Sequence, residues 1–351
     1  GDFLADVAEL GLEHAEEAFT LCEASGDVRY RCLCAFYASA LAVGSSDRRA
    51  ARRWTVEHGK WIATPAERVA VAFRLCQIGD VPQALAQVDS AREHIAVLPP
   101  DRFKYEAISE TLGVYLQAAE FARGLPHVPE FVRMVQGPLR ADAKVLQYAW
   151  LPAIPIVARC GDREEAARLA REAAAIFDGL EPALRASQLL LTLTYCAWGQ
   201  LWEVAAQLVD QYIGSWPVAD LSSNLDEVMG AAMAEICSRR GQREQAVSAI
   251  MPFLRAEFQF DEEGDYYHGQ RLKSAAEVLR VCGNLPEAVQ VASVASRLQS
   301  LWPFRKLVCE ELLELLADEM PPEAFAQAKS EGETMTGAAA FALARKALGY
   351  S

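Results

Sequence analysis

A glycine turn followed by small residues at fixed spacing recurs along this chain about every forty residues. The four clearest copies begin at Gly79, Gly161, Gly241 and Gly283, and each carries an alanine five residues after the glycine. Glycine readily adopts the left-handed backbone conformation that ends one helix, and a proline or glutamate shortly afterwards favours the first turn of the next. Because small side chains let two helices approach closely, the pattern predicts a repeated helical hairpin.

Weaker copies fill the gaps between the clear ones. Gly44, Gly124 and Gly199 each end an apolar helical stretch, so the turn glycines are spaced 35 to 45 residues apart, and Gly11 marks a further weak copy. Repeats of this length bury one face only against their neighbours and stack into a solenoid.

The repeat predicts an all-α fold and a division of the chain into two parts. We expect residues 1–300 to form a right-handed superhelix of about eight antiparallel helix pairs, and residues 301–351 to form capping helices. A hydrophobic fraction of 52% is sufficient for a large core, and the frequent Ala, Leu, Glu and Arg are strong helix formers.

The charge balance argues against nucleic acid as a direct partner. Lys and Arg number 34 and Asp and Glu 48, which gives a net charge of −14. The one basic run, at residues 48–53, is interpreted as a solvated helix face or a contact with an acidic partner. No apolar run is long enough to predict a membrane span. Nine irregularly spaced cysteines indicate free thiols and a cytoplasmic location.

The positions of glycine and alanine over residues 28–300 resemble those of the tetratricopeptide repeat. The intervals are mostly longer than that family's 34 residues, and its aromatic residue in the first helix is mostly absent. The resemblance implies stacked helix pairs with longer helices and a modified pitch, in which the first helix of each pair lines a concave surface.

A second pattern lies near the carboxyl terminus, in residues 323–328 and 331–336, followed by Ala340 and Ala344. Gly332 is expected to end a short helix, and Thr336 to cap the next. The stretch resembles the end of the helical-repeat region in bacterial ATP-dependent regulators of the LuxR and MalT kind and in ATPase-coupled nucleotide cyclases. The resemblance implies a sensor or interaction arm.

The arm is expected to be one segment of a longer regulator. The chain contains no phosphate-binding loop with the pattern G-x-x-x-x-G-K-S/T and no helix-turn-helix, and it begins at Gly1 rather than at a methionine.

Signatures of catalysis are missing from the sequence. The five histidines form no H-E-x-x-H pattern, the cysteines have no zinc-ribbon spacing, and there is no G-x-S-x-G elbow. We therefore predict a non-catalytic protein without metal or cofactor. An enzyme on a helical scaffold remains a minor alternative, which a buried cluster of groups with shifted pKa in the groove would favour.

The register of the repeat predicts which residues face the concave groove. They are apolar through the middle and polar towards the end, which suits an amphipathic helix or a small hydrophobic molecule, with Lys273 and Arg280 holding an acidic group. In the alternative interpretation, a tightly coiled solenoid uses the apolar residues to complete its core. The candidate contacts are Arg31, Phe73, Phe121, Tyr148, Trp150, Leu189, Leu193, Glu235, Lys273, Glu277 and Arg280.

Two local features add candidates for binding. Pro152 and Pro155 interrupt a first helix beside Tyr148 and Trp150, so that helix must start late or kink, which could open a pocket. The loop at residues 258–268 is long and aromatic, and its exposed residues would suit a partner, although packing beneath the loop is the alternative. The loop candidates are Phe260, Tyr266, Tyr267 and His268.

These observations favour a non-catalytic scaffold or sensor arm that binds a protein or peptide within a bacterial signalling or transcription regulator. The alternative is a receptor that holds a small hydrophobic ligand in the groove. A rise in melting temperature caused by a small ligand, without a partner protein, would favour the receptor.

Overall fold

The computed structural model describes residues 3–349 apart from 27, 45–47, 63, 138, 140–149, 179, 181, 214–226 and 256–267. Every regular element in these described residues is helical, and no strand occurs among them, which confirms the predicted all-α class. None of the described helices is both long enough and apolar enough to cross a membrane.

The chain divides into two compact units, Gly1–Ala118 and Ala119–Ser351. In unit 1, α1 packs on α2, α2 on α3, α3 on α4, and α4 on both α5 and α6. Its helices are α1 (Phe3–Ser25), α2 (Val28–Gly44), α3 (Arg48–Gly59), α4 (Pro65–Gln77), α5 (Val81–Ala96) and α6 (Arg102–Gln117).

Unit 2 holds the remaining helices. They are α7 (Phe121–Gly124), a 3₁₀ turn (Leu125–His127), α8 (Val128–Gln136), α9 (Ala153–Arg159), α10 (Arg163–Asp178), α11 (Pro182–Trp198), α12 (Trp202–Leu208), a π-helical turn (Val209–Ile213), α13 (Glu227–Arg239), α14 (Arg243–Arg255), α15 (His268–Cys282), α16 (Leu285–Leu298), α17 (Pro303–Asp318), α18 (Pro322–Thr334) and α19 (Gly337–Ala347).

Successive helices of unit 2 pack in a helical-repeat-like manner. Helix α13 contacts its hairpin partner α14 and also α15, the first helix of the next hairpin, and α15 in turn contacts α16 and α17. Each first helix therefore lies beside the first helices before and after it. The predicted handedness, the number of helix pairs and the division at residue 300 stay predictions.

The turns between paired helices are built as the sequence predicts at the four clear glycines. Gly79, Gly161, Gly241 and Gly283 have φ of 86°, 99°, 70° and 86°, in the left-handed region. After each, the next residue donates its N–H to the carbonyl five residues back, for example Asp80 to Leu75 at 2.8 Å. This hydrogen bond closes the end of the first helix.

One of the weaker copies was placed wrongly, and in another the left-handed residue is displaced by one position. Gly124 is in the right-handed helical region, and the left-handed residue of that turn is Ala119, with φ of 58°. In the next weak copy the left-handed residue is Gln200, with φ of 56°, rather than Gly199. With these corrections, successive left-handed residues lie 40, 42, 39, 41 and 42 residues apart, a more regular repeat than the glycines alone suggest. Gly11 lies inside α1 and ends no helix.

The carboxyl-terminal helices confirm one prediction and correct another. Thr336 caps α19 by accepting the N–H of Ala339 at 3.2 Å, and Ala340 and Ala344 are buried as expected. Gly332, however, lies within α18 rather than at its end. A Cβ on it would come within 2.5 Å of the Gln290 carbonyl oxygen, so glycine is needed for the close approach of α18 to α16.

The two prolines before Gly161 have the predicted effect on their helix. Helix α9 starts only at Ala153 and has seven residues. Pro152 is its N-cap residue and Pro155 falls in its first turn, where a missing N–H removes no helical hydrogen bond. The late start is therefore confirmed.

Candidate functional site

First helices of successive hairpins in unit 2 surround a cavity of about 180 Å³. Residues from α9, α11, α13, α15 and α17 contribute, together with the turn after α11 and the start of α12. The polar lining residues are Arg159, Gln200, Glu235, Arg239, Gln270, Lys273, Glu277 and Glu311, and the less polar ones are Ala197, Trp198, Trp202, Val308, Leu312 and Leu315.

Glu235 lies at the centre of one buried network at this cavity. Its residue is 2% exposed, and the Lys273 ammonium donates to its Oε2 at 2.6 Å. Its Oε1 accepts from Gln270 Nε2 at 3.2 Å and from the Ser274 hydroxyl at 2.5 Å. Arg305 Nη1 donates to Gln270 Oε1 at 3.0 Å, which extends the network from α13 through α15 to α17. The carboxylate is thus compensated by a cation and two neutral donors, as a buried charge requires.

Glu277 forms a second network one helical turn along α15. This fully buried carboxylate accepts from Arg239 Nη2 at 2.5 Å and from Arg280 Nε at 3.1 Å. Arg280 Nη1 also donates to Glu319 Oε1 at 2.8 Å. Burial alone would raise the pKa of Glu277, but the Lys273, Arg239 and Arg280 cations outweigh burial and hold the pKa below its usual value. The residue is therefore ionised at neutral pH.

A third ion pair joins two helices that are distant in sequence. Arg159 Nη1 and Nη2 donate to the two carboxylate oxygens of Glu311, the second at 3.1 Å, and its Nε donates to the Trp198 carbonyl at 2.8 Å. The guanidinium thus fixes α9 against α17 and α11 at once, with the bidentate geometry that makes arginine pairs strong.

The three acidic side chains of the lining are therefore all held by cations. Each accepts at least one charge-assisted hydrogen bond from a lysine or arginine. Together they form a network of ion pairs, in which the cations around Glu277 lower its pKa.

Two cations at the cavity keep N–H groups that have no hydrogen-bond partner among the described residues. Among the described residues Lys273 donates only to Glu235 and Arg239 only to Glu277, although an ammonium has three N–H groups and a guanidinium five. The Arg239 side chain is 27% exposed and stacks over the Trp202 ring at 4.9 Å. A group that accepts hydrogen bonds complements these two donors.

The polar end of the predicted groove is brought together at this cavity. Glu235, Lys273 and Glu277 line it, and Arg280, which is not a lining residue, donates to Glu277. The sequence analysis missed Arg159 and Arg239, which stand two residues before the turn glycines Gly161 and Gly241. That shared position was a usable signal.

Three apolar candidates of unit 2 lie in the core, and Phe121 is half-buried. Leu189 and Leu193 are buried, and Trp150 is 2% exposed with its Nε1 donating to the Leu169 carbonyl at 2.8 Å. Phe121 packs edge-on against Phe304, with ring centres 5.9 Å apart. These positions agree with the alternative in which apolar groove residues complete the core, and their role as ligand contacts stays a prediction.

Two candidates belong to unit 1. Arg31 bonds Glu23 at 3.1 Å and stacks over the rings of Phe19 and Trp61, at 5.1 and 4.2 Å. Phe73 is half-buried, and its ring lies where a Cβ on Gly113 would come within 2.8 Å. Both side chains therefore have intramolecular contacts in unit 1.

Four candidates lie outside the described residues: Tyr148, Phe260, Tyr266 and Tyr267. His268, the last residue of the predicted loop, begins α15 and is buried. Within the part of the chain that the structure describes, no group of three His, Cys, Asp or Glu residues is placed to hold a metal ion.

We compared the sequence with protein-family models and with curated proteins. The chain matches no protein-family model, and no curated protein is significantly similar to it.

Proposed function

We propose that unit 2 is a non-catalytic protein-binding module that holds an acidic segment of a peptide or protein partner at the cavity between its first helices. The observation that carries the proposal is the convergence of five helices on one cavity where Lys273 and Arg239 keep N–H donors that have no partner among the described residues. A carboxylate of the partner would accept these donors, and the rings of Trp198 and Trp202 would contact its apolar part.

The size of the cavity supports a peptide rather than a free ligand. Sites for drug-sized molecules have volumes of about 300 to 1,000 Å³. At about 180 Å³ the cavity suits one side chain or one chain end of a larger partner. A hydrophobic ligand has less support, because Leu189 and Leu193 are buried in the core.

The two sequence resemblances suggest the fold and the biological role to which the module belongs. We propose a tetratricopeptide-like right-handed superhelix of about eight helix pairs, and the spacing of 39 to 42 residues between left-handed turn residues supports it. The module would serve as the sensor or scaffold arm of a bacterial signalling or transcription regulator. The nine cysteines of the whole chain are free thiols, which supports a cytoplasmic location.

The test is a peptide array probed with the full chain, in which acidic side chains are exchanged for amides one at a time. Arg239→Gln should weaken binding to the best acidic peptide by about 10-fold or more, because a hydrogen bond to a charged group contributes about 1.5 to 3 kcal/mol. Its neighbour Arg240 bonds Asp210 and does not line the cavity, so Arg240→Gln is the matched control. Equal losses in both variants, or no preference for acidic peptides, would contradict the proposal.

A further inference from the structure

Helix α3 of unit 1 presents a basic face to solvent. Arg49, Arg52 and Arg53 are exposed on it. Arg52 Nη2 comes no closer to Asp80 than 3.9 Å, and Arg53 Nη1 lies 3.7 Å from Glu16, so neither contact is a hydrogen bond. Arg49 makes no ion pair with any of the described residues. The hairpin itself therefore compensates these charges only weakly.

The position of the arginines within α3 does not stabilise the helix. They fall in its first two turns, and its first turn contains no acidic residue. The amino-terminal end of a helix carries partial positive charge, so cations are unfavourable there. A contact with negative charge from outside the hairpin would remove this disadvantage.

Helix α1 presents an acidic face beside the basic one. Glu13 and Glu17 are exposed, one helical turn apart, and neither makes an ion pair within the described part of the chain. Between them, Glu16 contacts α3, because its Oε1 accepts the Trp54 Nε1–H at 2.8 Å and lies 3.7 Å from Arg53 Nη1. The acidic face of α1 therefore adjoins the basic face of α3 on the surface of unit 1.

The two charged faces have matching spacing along their helices. Helix α2 packs on both α1 and α3 and is joined to each by a short connection, so α1 and α3 run in the same direction. One turn before the contact of Glu16 with Arg53 stand Glu13 on α1 and Arg49 on α3. Opposite charges therefore lie at the same level of the two helices.

We propose that unit 1 forms a dimer with a second copy of this chain, in which the acidic face of α1 in each copy lies on the basic face of α3 in the other. A two-fold axis parallel to α1 and α3 exchanges the two faces and keeps their levels. Glu13 of each copy then meets Arg49 of the other, as the symmetry of an isologous contact requires.

The presence of both signs of charge on one surface favours a second copy over a nucleic acid. Phosphates along α3 would also approach Glu13 and Glu17, and the net charge of −14 adds further repulsion. A second copy instead presents the opposite sign at both faces. Val56, 52% exposed on α3, adds an apolar contact among the arginines. The surface lies in unit 1, so the dimer does not rest on the proposed peptide binding.

Sedimentation velocity of the full chain over a series of concentrations measures the dimer. We expect a reversible equilibrium that weakens in about 1 M salt, where the Debye length falls to about 3 Å. Arg49→Glu and Glu13→Arg should each raise the dissociation constant by about 10-fold or more, because like charges then meet at both symmetric contacts. Arg92→Glu, at an exposed position of α5, is the matched control and should leave the constant unchanged.

A mixture of the two variants separates a charge contact from a loss of folding. Neither Arg49→Glu nor Glu13→Arg should pair with itself, but together they place opposite charges at both contacts, so an equimolar mixture should regain the dimer. A chain that is monomeric at every concentration, variants that still associate, or a mixture that stays monomeric would overturn the proposal. So would a monomeric chain that binds random-sequence duplex DNA through Arg49, since the arginines would then contact phosphates.

Discussion

The guanidinium of Arg159 bonds both carboxylate oxygens of Glu311, which stands 152 residues further along the chain. The pair connects α9 to α17, and both helices line the cavity. Phe304 supports the connection, because its ring contacts those of Phe121 and Trp198 and lies 5.8 Å from the Arg159 guanidinium. The cavity is therefore bounded by contacts that the local repeat does not specify.

Removing either partner of this pair should destabilise unit 2. Arg159→Ala leaves a partly buried carboxylate and the Trp198 carbonyl without their donor, and we expect a loss of about 2 to 3 kcal/mol in the free energy of unfolding. Urea denaturation measures it. In a double-mutant cycle with Glu311→Ala, the double variant should lose at least about 1 kcal/mol less than the two single losses combined. Additive losses would show that the pair contributes nothing.

At one left-handed turn residue, a substitution is expected to stabilise the chain. Gln200 has φ of 56°, in the left-handed region. Because its Cβ is crowded by the backbone there, this conformation costs about 1 kcal/mol more for glutamine than for glycine. Gln200→Gly should therefore raise the melting temperature. Gly161→Ala is the matched control, since a Cβ there meets nothing within 4 Å and only the backbone conformation opposes it. It should lower the melting temperature, and two shifts in the same direction would contradict the argument.

His58 predicts a loss of stability in mild acid. Its residue is 2% exposed and packs edge-on against Phe36, and burial lowers its pKa to about 4. The unfolded chain, in which histidine titrates near a pKa of about 6.5, binds the proton first. The free energy of unfolding should thus fall as pH falls from about 6.5 to about 4. His58→Phe should reduce this slope in urea denaturation, whereas replacing the mostly exposed His94 should not.

Glu277 predicts a second acid transition at lower pH. Its pKa in the folded chain is held below the unfolded value of about 4.3, so its contribution to stability is complete above that value and is lost as pH falls through the folded pKa. Glu277→Gln should flatten the stability profile below about pH 4.3 and destabilise the chain at pH 7, where Arg239 loses its partner. Glu314→Gln, at an exposed position of α17, is the control. An unchanged profile in Glu277→Gln would show that the carboxylate is not held ionised.

The sequence predicted those parts of the structure that depend on local chemistry. Gly79 and Gly283 mark their turns because glycine is the residue that favours left-handed backbone. Ala119 and Gln200 adopt the same conformation without glycine, so nothing in their identity reveals it. Glu235, Lys273 and Glu277 were found because the repeat register fixes which helix face they occupy.

Long-range partners could not be predicted in the same way. The repeat register predicts which face of its helix Arg159 occupies. It does not predict the contact with Glu311, because the distance between the two helices depends on the rotations between several successive hairpins. For the same reason the burial of Leu189 and Leu193 in the core, instead of on an open surface, required the structure.

The contact of Arg159 with Glu311 also bears on how unit 2 unfolds. A linear repeat array has stability that is close to a sum over neighbours, and its end repeats fray first. In unit 2 the ion pair connects α9 to α17, which lies much further along the chain. Unfolding of α17 would therefore also remove a stabilising contact of α9, and partial unfolding from the carboxyl-terminal side costs more free energy. We therefore expect unit 2 to unfold in a single cooperative transition, in which α9 and α17 are lost together.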